Sequence, residues 1–150
     1  MEAIDEVRRA AGPTGAPDAT STLRLSYGRL QGVAGQPAMT FVKGLYERAS
    51  GQAPYAVTGR WLQARGALDG ATPYNVATTN DIIGGNSGSP LLDREGHVVG
   101  LVFDGNLPSL GGNFGYEPNG NRAVAVHGDL ILEALTKVYG AAALAAELRP

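Results

Sequence analysis

The stretch Gly84-Gly85-Asn86-Ser87-Gly88-Ser89-Pro90 is where residue types and spacing in this chain could do chemistry. A serine hydroxyl attacks a carbonyl only when a base takes its proton and backbone N–H groups meet the oxygen that turns negative. A Gly-Asn-Ser-Gly turn can supply the second requirement. Gly85 permits a backbone conformation that residues with a β-carbon resist. The N–H groups of Gly85 and Ser87 can then converge on one point as an oxyanion hole, and each such donor is worth roughly 10²–10³ in rate. The alternative is a glycine-rich β-turn with a serine at its tip, and a bare Gly-x-Ser-x-Gly does not separate the two. Ser89 reads as a packing or turn residue.

The elements that must hold this turn follow from the pattern on either side. Asn75 to Thr79 reads as a strand, leading into Asp81-Ile82-Ile83 and the glycines. Leu91-Leu92, the turn Asp93-Arg94-Glu95-Gly96 and Val98 to Phe103 give a β-hairpin signal. A loop rich in Gly, Asn and Pro runs from Asp104 to Asn121, and Arg122 to Val126 reads as a last strand. Asp129 is placed to cap a terminal helix whose apolar stripe is Leu130, Ile131, Ala134, Leu135 and Val138, with Gly140 interrupting it before Ala141 to Leu148. Upstream, Leu23, Leu25 and Tyr27 alternate with Arg24 and Ser26, which predicts a strand. Thr40 can cap a helix carrying Phe41, Val42, Leu45 and Tyr46, with Gly51 past its end. Thr58 can start a second helix with Trp61, Leu62 and Leu68, the aromatics serving as core. Residues 2–11 read as a short exposed helix ending at Gly12-Pro13. Residues 1–21 are then a poorly ordered lead-in, and 22–150 the folded part.

Composition agrees with this frame. The chain has 150 residues, enough for one domain, with 43% hydrophobic and 17% charged residues. Its 22 Gly and 9 Pro favour a turn-rich, mainly β fold with helices. A net charge of -2 gives no reason to expect a nucleic-acid or membrane-surface partner. With no Cys there is no disulfide, thiol nucleophile or thiolate zinc site. Only two His are present, so a multi-histidine metal site is not expected, and no cofactor is. Met1 to Arg9 contains Glu2, Asp5 and Glu6 and lacks a basic-then-apolar pattern, so it does not read as a signal peptide.

A strand before the turn, and Ser-Pro with a β-hairpin after it, is the context of the serine loop in chymotrypsin-like double barrels. The likeness is closer than that. The run Thr79-Asn80-Asp81-Ile82-Ile83-Gly84-Gly85-Asn86-Ser87-Gly88-Ser89-Pro90 resembles the serine motif of bacterial dipeptidyl-peptidases 7 and 11, the family 46 serine peptidases. Gly100-Leu101-Val102-Phe103-Asp104-Gly105-Asn106, Asn121-Arg122-Ala123-Val124 and Ile131 to Ala141 resemble further family segments, as do Leu23 to Gly28 and Trp61-Leu62. The resemblance covers about residues 22–148 and implies most of the second barrel, a partial chymotrypsin-like barrel, with its terminal helix. It implies removal of dipeptides from free peptide N-termini, with Ser87 as nucleophile and Asp104 binding the substrate α-ammonium. A carboxylate in a partly dry site suits that task, although a strand-end Asp can equally bond its own turn. In the family an Arg at position 105 resembles the mark of enzymes cleaving after Asp or Glu. Gly105 therefore implies an apolar preference, with room in the specificity pocket. Asn86 replaces an Asp that pairs with a newly cut N-terminus in digestive relatives, so that zymogen mechanism is not expected. The family is typically periplasmic or secreted.

The chain departs from the pattern where the base belongs. Chymotrypsin-like enzymes order their triad His, Asp, Ser, and no His precedes Ser87. His97 lies in the hairpin turn and reads as solvated, while His127 precedes the terminal helix and reads as a cap or packing residue. Losing the histidine costs on the order of 10⁶ in kcat in subtilisin, so the chain alone is expected to be close to inert. Three readings follow: a C-terminal fragment of a dipeptidyl-peptidase, a silent remnant that holds peptide N-termini near Asp104, or one half of a split enzyme. The partners expected are peptides with a free N-terminus and a missing N-terminal half or a second copy. Apolar surface left bare by the missing half invites self-association.

Overall fold

The computed structural model describes residues 23–149. The expected helix at 2–11 and the lead-in lie outside them. Among the described residues five strands form one sheet: β1 (Met39–Phe41), β2 (Pro73–Thr78), β3 (Pro90–Leu92), β4 (Val98–Gly105) and β5 (Ala123–His127), in the order β1-β2-β5-β4-β3. The sheet is antiparallel and not closed. The helices are α1 (Val42–Glu47), α2 (Gly59–Ala64), α3 (Gly128–Lys137) and α4 (Ala142–Glu147), with a 3-10 helix at Leu107–Asn113. The expected class, mainly β with helices as part of a second barrel with a terminal helix, is met in its sheet and terminal helices. The sheet is open, and helix and strand occur in similar amounts.

The described chain divides into two compact units. One contains the residues up to Ala38, Ala77–Ser89 and Val102–Ala125; the other contains Met39–Val76, Pro90–Leu101 and the residues from Val126 on. The second unit holds a core of Val42, Tyr46, Ala64, Leu68, Leu130, Ala134 and Val138. Leu130 and Ala134 on α3 and Val138 at its C-cap are spaced four apart, so they fall on one face, as the apolar stripe predicts. The cap of α3 is His127, whose Nδ1 accepts from the Asp129 N–H at 3.1 Å, while Asp129 itself lies in the first turn. An acid there still suits the positive end of the helix.

One other cap also differs from expectation. Thr40 belongs to β1, where its hydroxyl accepts from the Asn75 N–H at 3.1 Å, and α1 starts after Phe41. The side chain found a strand partner in place of a helix end. Thr58 does occupy the N-cap position of α2, without a side-chain bond. The hairpin of β3 and β4 forms as read, with Leu91 opposite Gly100. The strand expected at Leu23 to Tyr27 does not form. These side chains are 92%, 69% and 85% exposed at Leu23, Leu25 and Tyr27, so among the described residues their alternation meets no apolar surface. Pairing begins instead at Arg29, where Thr79 N donates to Arg29 O at 3.0 Å and Gln31 N to Ala77 O at 3.0 Å.

Glu133 ties α3 to the turn before β2. Its Oε1 accepts from the Asp69 N–H at 2.7 Å and from Lys137 Nζ at 2.6 Å. Burial works to raise its pKa, but Lys137, Thr72 and the Asp69 N–H together outweigh it and hold the carboxyl below its ordinary 4.5. A depressed carboxyl stabilises the fold fully above pH 4.5 and loses that contribution as pH falls through the folded value. Glu133→Gln is expected to lose about 1–3 kcal/mol at pH 7. Urea unfolding at a series of pH values should show the gap to the parent chain closing below pH 4.5.

Candidate active site

The serine turn is built from its own residues and then fastened to β4. Asn86 Oδ1 accepts from the Ile83 N–H at 2.9 Å, and Asn86 N donates to Ile83 O at 3.2 Å, which closes the loop ahead of Ser87. Gly85 and Gly88 have φ of 95° and 89°, the left-handed region where a β-carbon costs about 1–2 kcal/mol. Gly88 N donates to Val102 O at 2.7 Å, and Val102 N donates to Ser89 O at 2.9 Å. This exchange carries the turn alongside the end of β4. Among the described residues the N–H groups of Gly85 and Ser87 donate to no protein acceptor. Ser87 is exposed, and its Oγ donates to the Phe103 carbonyl at 3.2 Å, one residue before Asp104.

Asp104 is exposed on β4, and its Oδ1 accepts from the Gly105 N–H at 2.8 Å. That bond to its own turn is the plain strand-end arrangement, and it leaves the carboxylate in reach of solvent. The room expected over Gly105 is taken. A Cβ at residue 105 would collide with Ser109 Oγ. Ser109 lies in the 3-10 helix that forms inside the segment read as a loop, and its Oγ donates to Asn106 O at 2.6 Å.

Neither histidine is a hydrogen-bond partner of Ser87. His97 is 72% exposed in the hairpin turn, where its Nδ1 lies 3.1 Å from Asp93 Oδ2. Asp93 is held below the ordinary carboxylate range, chiefly by the backbone N–H of His97. His127 is engaged at the start of α3.

Asn106 and Arg122 organise the segment behind Asp104. Asn106 N donates to Arg122 O at 3.0 Å, and Arg122 N donates back to Asn106 Oδ1 at 2.9 Å. Asn106 Nδ2 donates to Gly120 O at 2.7 Å. Arg122 is only 2% exposed, and its guanidinium donates to the carbonyls of Gly32, Pro118, Asn121 and Asn119. The fork of five N–H donors suits several carbonyls at once. The sequence marked both residues only as parts of motifs. Nothing in the pattern of a lone arginine before a strand says that its partners are backbone oxygens.

This fastening is expected to dominate stability near the site. Arg122→Met strands several carbonyls and should lower the unfolding free energy by about 3 kcal/mol or more. Asp104→Asn, at an exposed position, should change it by less than about 0.5 kcal/mol in the same denaturant titration.

The comparisons with known proteins agree with the motifs. The model of the family described as peptidase S46 matches residues 1–150. Dipeptidyl-peptidase 7 of Phocaeicola vulgatus is 35% identical over 139 residues, covering 83% of this chain and 19% of that protein. The Asp/Glu-specific dipeptidyl-peptidase of Porphyromonas endodontalis is 31% identical over 156 residues, covering 92% of this chain and 21% of that protein. The crystal structure of Porphyromonas endodontalis DPP11 in complex with the dipeptide Arg-Glu superposes with a TM-score of 0.81 at 30% identity, covering 98% of this chain and 23% of that one. The chain thus spans about a fifth of the length of these relatives. With a match along its whole length, this chain belongs to the peptidase S46 family.

Proposed function

We propose that this chain is the C-terminal part of a serine dipeptidyl-peptidase that releases dipeptides from free peptide N-termini. The observation that carries the reading is the placement of Ser87 beside the end of β4, its hydroxyl on the carbonyl just before Asp104. A nucleophile and an anionic group for an α-ammonium, fixed to one strand, suit an enzyme that measures a short distance from the peptide end. Two residues of extended chain span roughly 7 Å.

In this reading the α-ammonium pairs with Asp104, and Ser87 Oγ attacks the carbonyl of the second residue. The Oγ–C bond forms, the hydroxyl proton passes to a histidine, and the N–H groups of Gly85 and Ser87 take up the oxyanion charge. The leaving amine collects the proton as the peptide bond breaks, and water then cleaves the acyl-serine. The histidine and its orienting Asp belong to a part of the enzyme outside these 150 residues, consistent with relatives about five times longer. Leu23, Leu25, Tyr27, Leu107, Leu110 and Phe114, all exposed in the unit that carries Ser87, are apolar surface that such a part would cover. The uncharged Gly105 favours an apolar second residue in the substrate. The family resemblance makes a periplasmic or secreted setting the one to test.

A second reading is favoured by the bond Ser87 makes. Among the described residues its hydroxyl meets a backbone carbonyl and no base, which supports reading the chain by itself as a binder of peptide N-termini. Both readings meet in one experiment. Residues 23–149 replace the matching segment of the Phocaeicola vulgatus dipeptidyl-peptidase 7, and release of a reporter from an apolar dipeptide is followed. The chimera is expected to cleave, and Ser87→Ala to lower kcat by roughly 10⁶. The isolated chain is expected at background. A folded chimera that is inactive, or one indifferent to Ser87→Ala, would rule out the nucleophile assignment.

A further inference from the structure

Gly105 ends β4 next to Asp104, and its backbone lies outside the left-handed region that would require glycine. The reason for glycine is therefore spatial. Besides the collision with Ser109 Oγ, a Cβ on residue 105 would stand 3.1 Å from Ser109 Cβ and 3.5 Å from the Arg122 carbonyl oxygen. Rotating the hydroxyl away would relieve only the first clash and would break its 2.6 Å bond to Asn106 O. Ser109 Cβ cannot swing aside, because Ser109 N is bound to the same carbonyl at 2.9 Å. A side chain at 105 thus needs the side chain at 109 displaced or removed.

We propose that Ser109 is a specificity-determining residue of the peptide site, its hydroxymethyl group forming the wall over Gly105 and deciding what position 105 can carry. The role in specificity rests on the dipeptidyl-peptidase reading above; the steric pairing does not. With Ser109 in place the wall beside Asp104 is small and uncharged, which suits an apolar second residue. A cation at 105, the partner an acidic second residue would need, requires Ser109 to give way first.

The test uses four forms of the chain: unsubstituted, Gly105→Arg, Ser109→Gly and the double variant. Thermal unfolding is the first readout. Gly105→Arg is expected to lower the midpoint by about 5 °C or more, and the double variant to recover most of that loss. Gly105→Ala, with and without Ser109→Gly, repeats the cycle where the arginine form does not fold. Calorimetric affinity for the dipeptide Arg-Glu, against a dipeptide with an apolar second residue, is the second readout. The double variant is expected to bind Arg-Glu about tenfold more tightly than Gly105→Arg does. The unsubstituted chain should prefer the apolar dipeptide. Additive losses of stability would overturn the steric pairing. Coupled stability with equal Arg-Glu affinity in the two arginine forms would overturn the specificity role and leave a packing pair. Coupled stability with no dipeptide bound by any form would refute the peptidase reading, and the specificity role with it, while the pairing holds.

Discussion

Two hydrogen bonds exchanged with Val102 hold the candidate site together. Val102 accepts from Gly88 and donates to Ser89, so the residues just after Ser87 are bonded as a strand neighbour of β4. Val102 is buried, at 7% exposure, so these bonds lie where water competes poorly. Everything proposed for the site follows from this fastening. The serine turn needs its left-handed glycines to reach the strand, and the strand then carries Phe103, Asp104 and Gly105 past it in order.

The segment after β4 is held by backbone oxygens in place of opposite charges. Among the described residues buried Arg122 has no carboxylate hydrogen-bond partner and spreads its charge over four carbonyls. Asn106 completes the arrangement by bonding the main chain of Arg122 in both directions. Neutral acceptors cannot cancel a buried charge as a carboxylate would, but they satisfy the guanidinium donors and fix the loop from Pro118 to Asn121 at the same time. The same bonds fasten Asn106, whose carbonyl holds both the N–H and the hydroxyl of Ser109.

What was legible in the sequence was local. The serine turn, the β3–β4 hairpin, the helix after Thr58 and the stripe of α3 depend on residues a few places apart, and all form. The segment from Leu23 to Tyr27 has strand alternation, yet a strand needs a neighbour, and pairing is found only from Arg29 onward. Thr40 has the chemistry of a helix cap, but Asn75 reaches it first. The 3-10 helix at Leu107–Asn113 was hidden by its Gly, Asn and Pro content. Ser109, which decides how much space Gly105 offers, was hidden with it. Gly105 read by itself suggests a vacancy; only the fold reveals that a neighbour four residues on has filled it.

The central claim is that the serine turn and the end of β4 form one site for peptide N-termini. Amide chemical-shift mapping on the isotopically labelled chain tests it most directly, using one apolar dipeptide with its amine free and then acetylated. Shifts at Gly85, Ser87, Asp104 and Gly105 with the free amine, lost on acetylation, are the predicted result. Equal shifts for both forms, or shifts centred on Asp93 and His97, would contradict it.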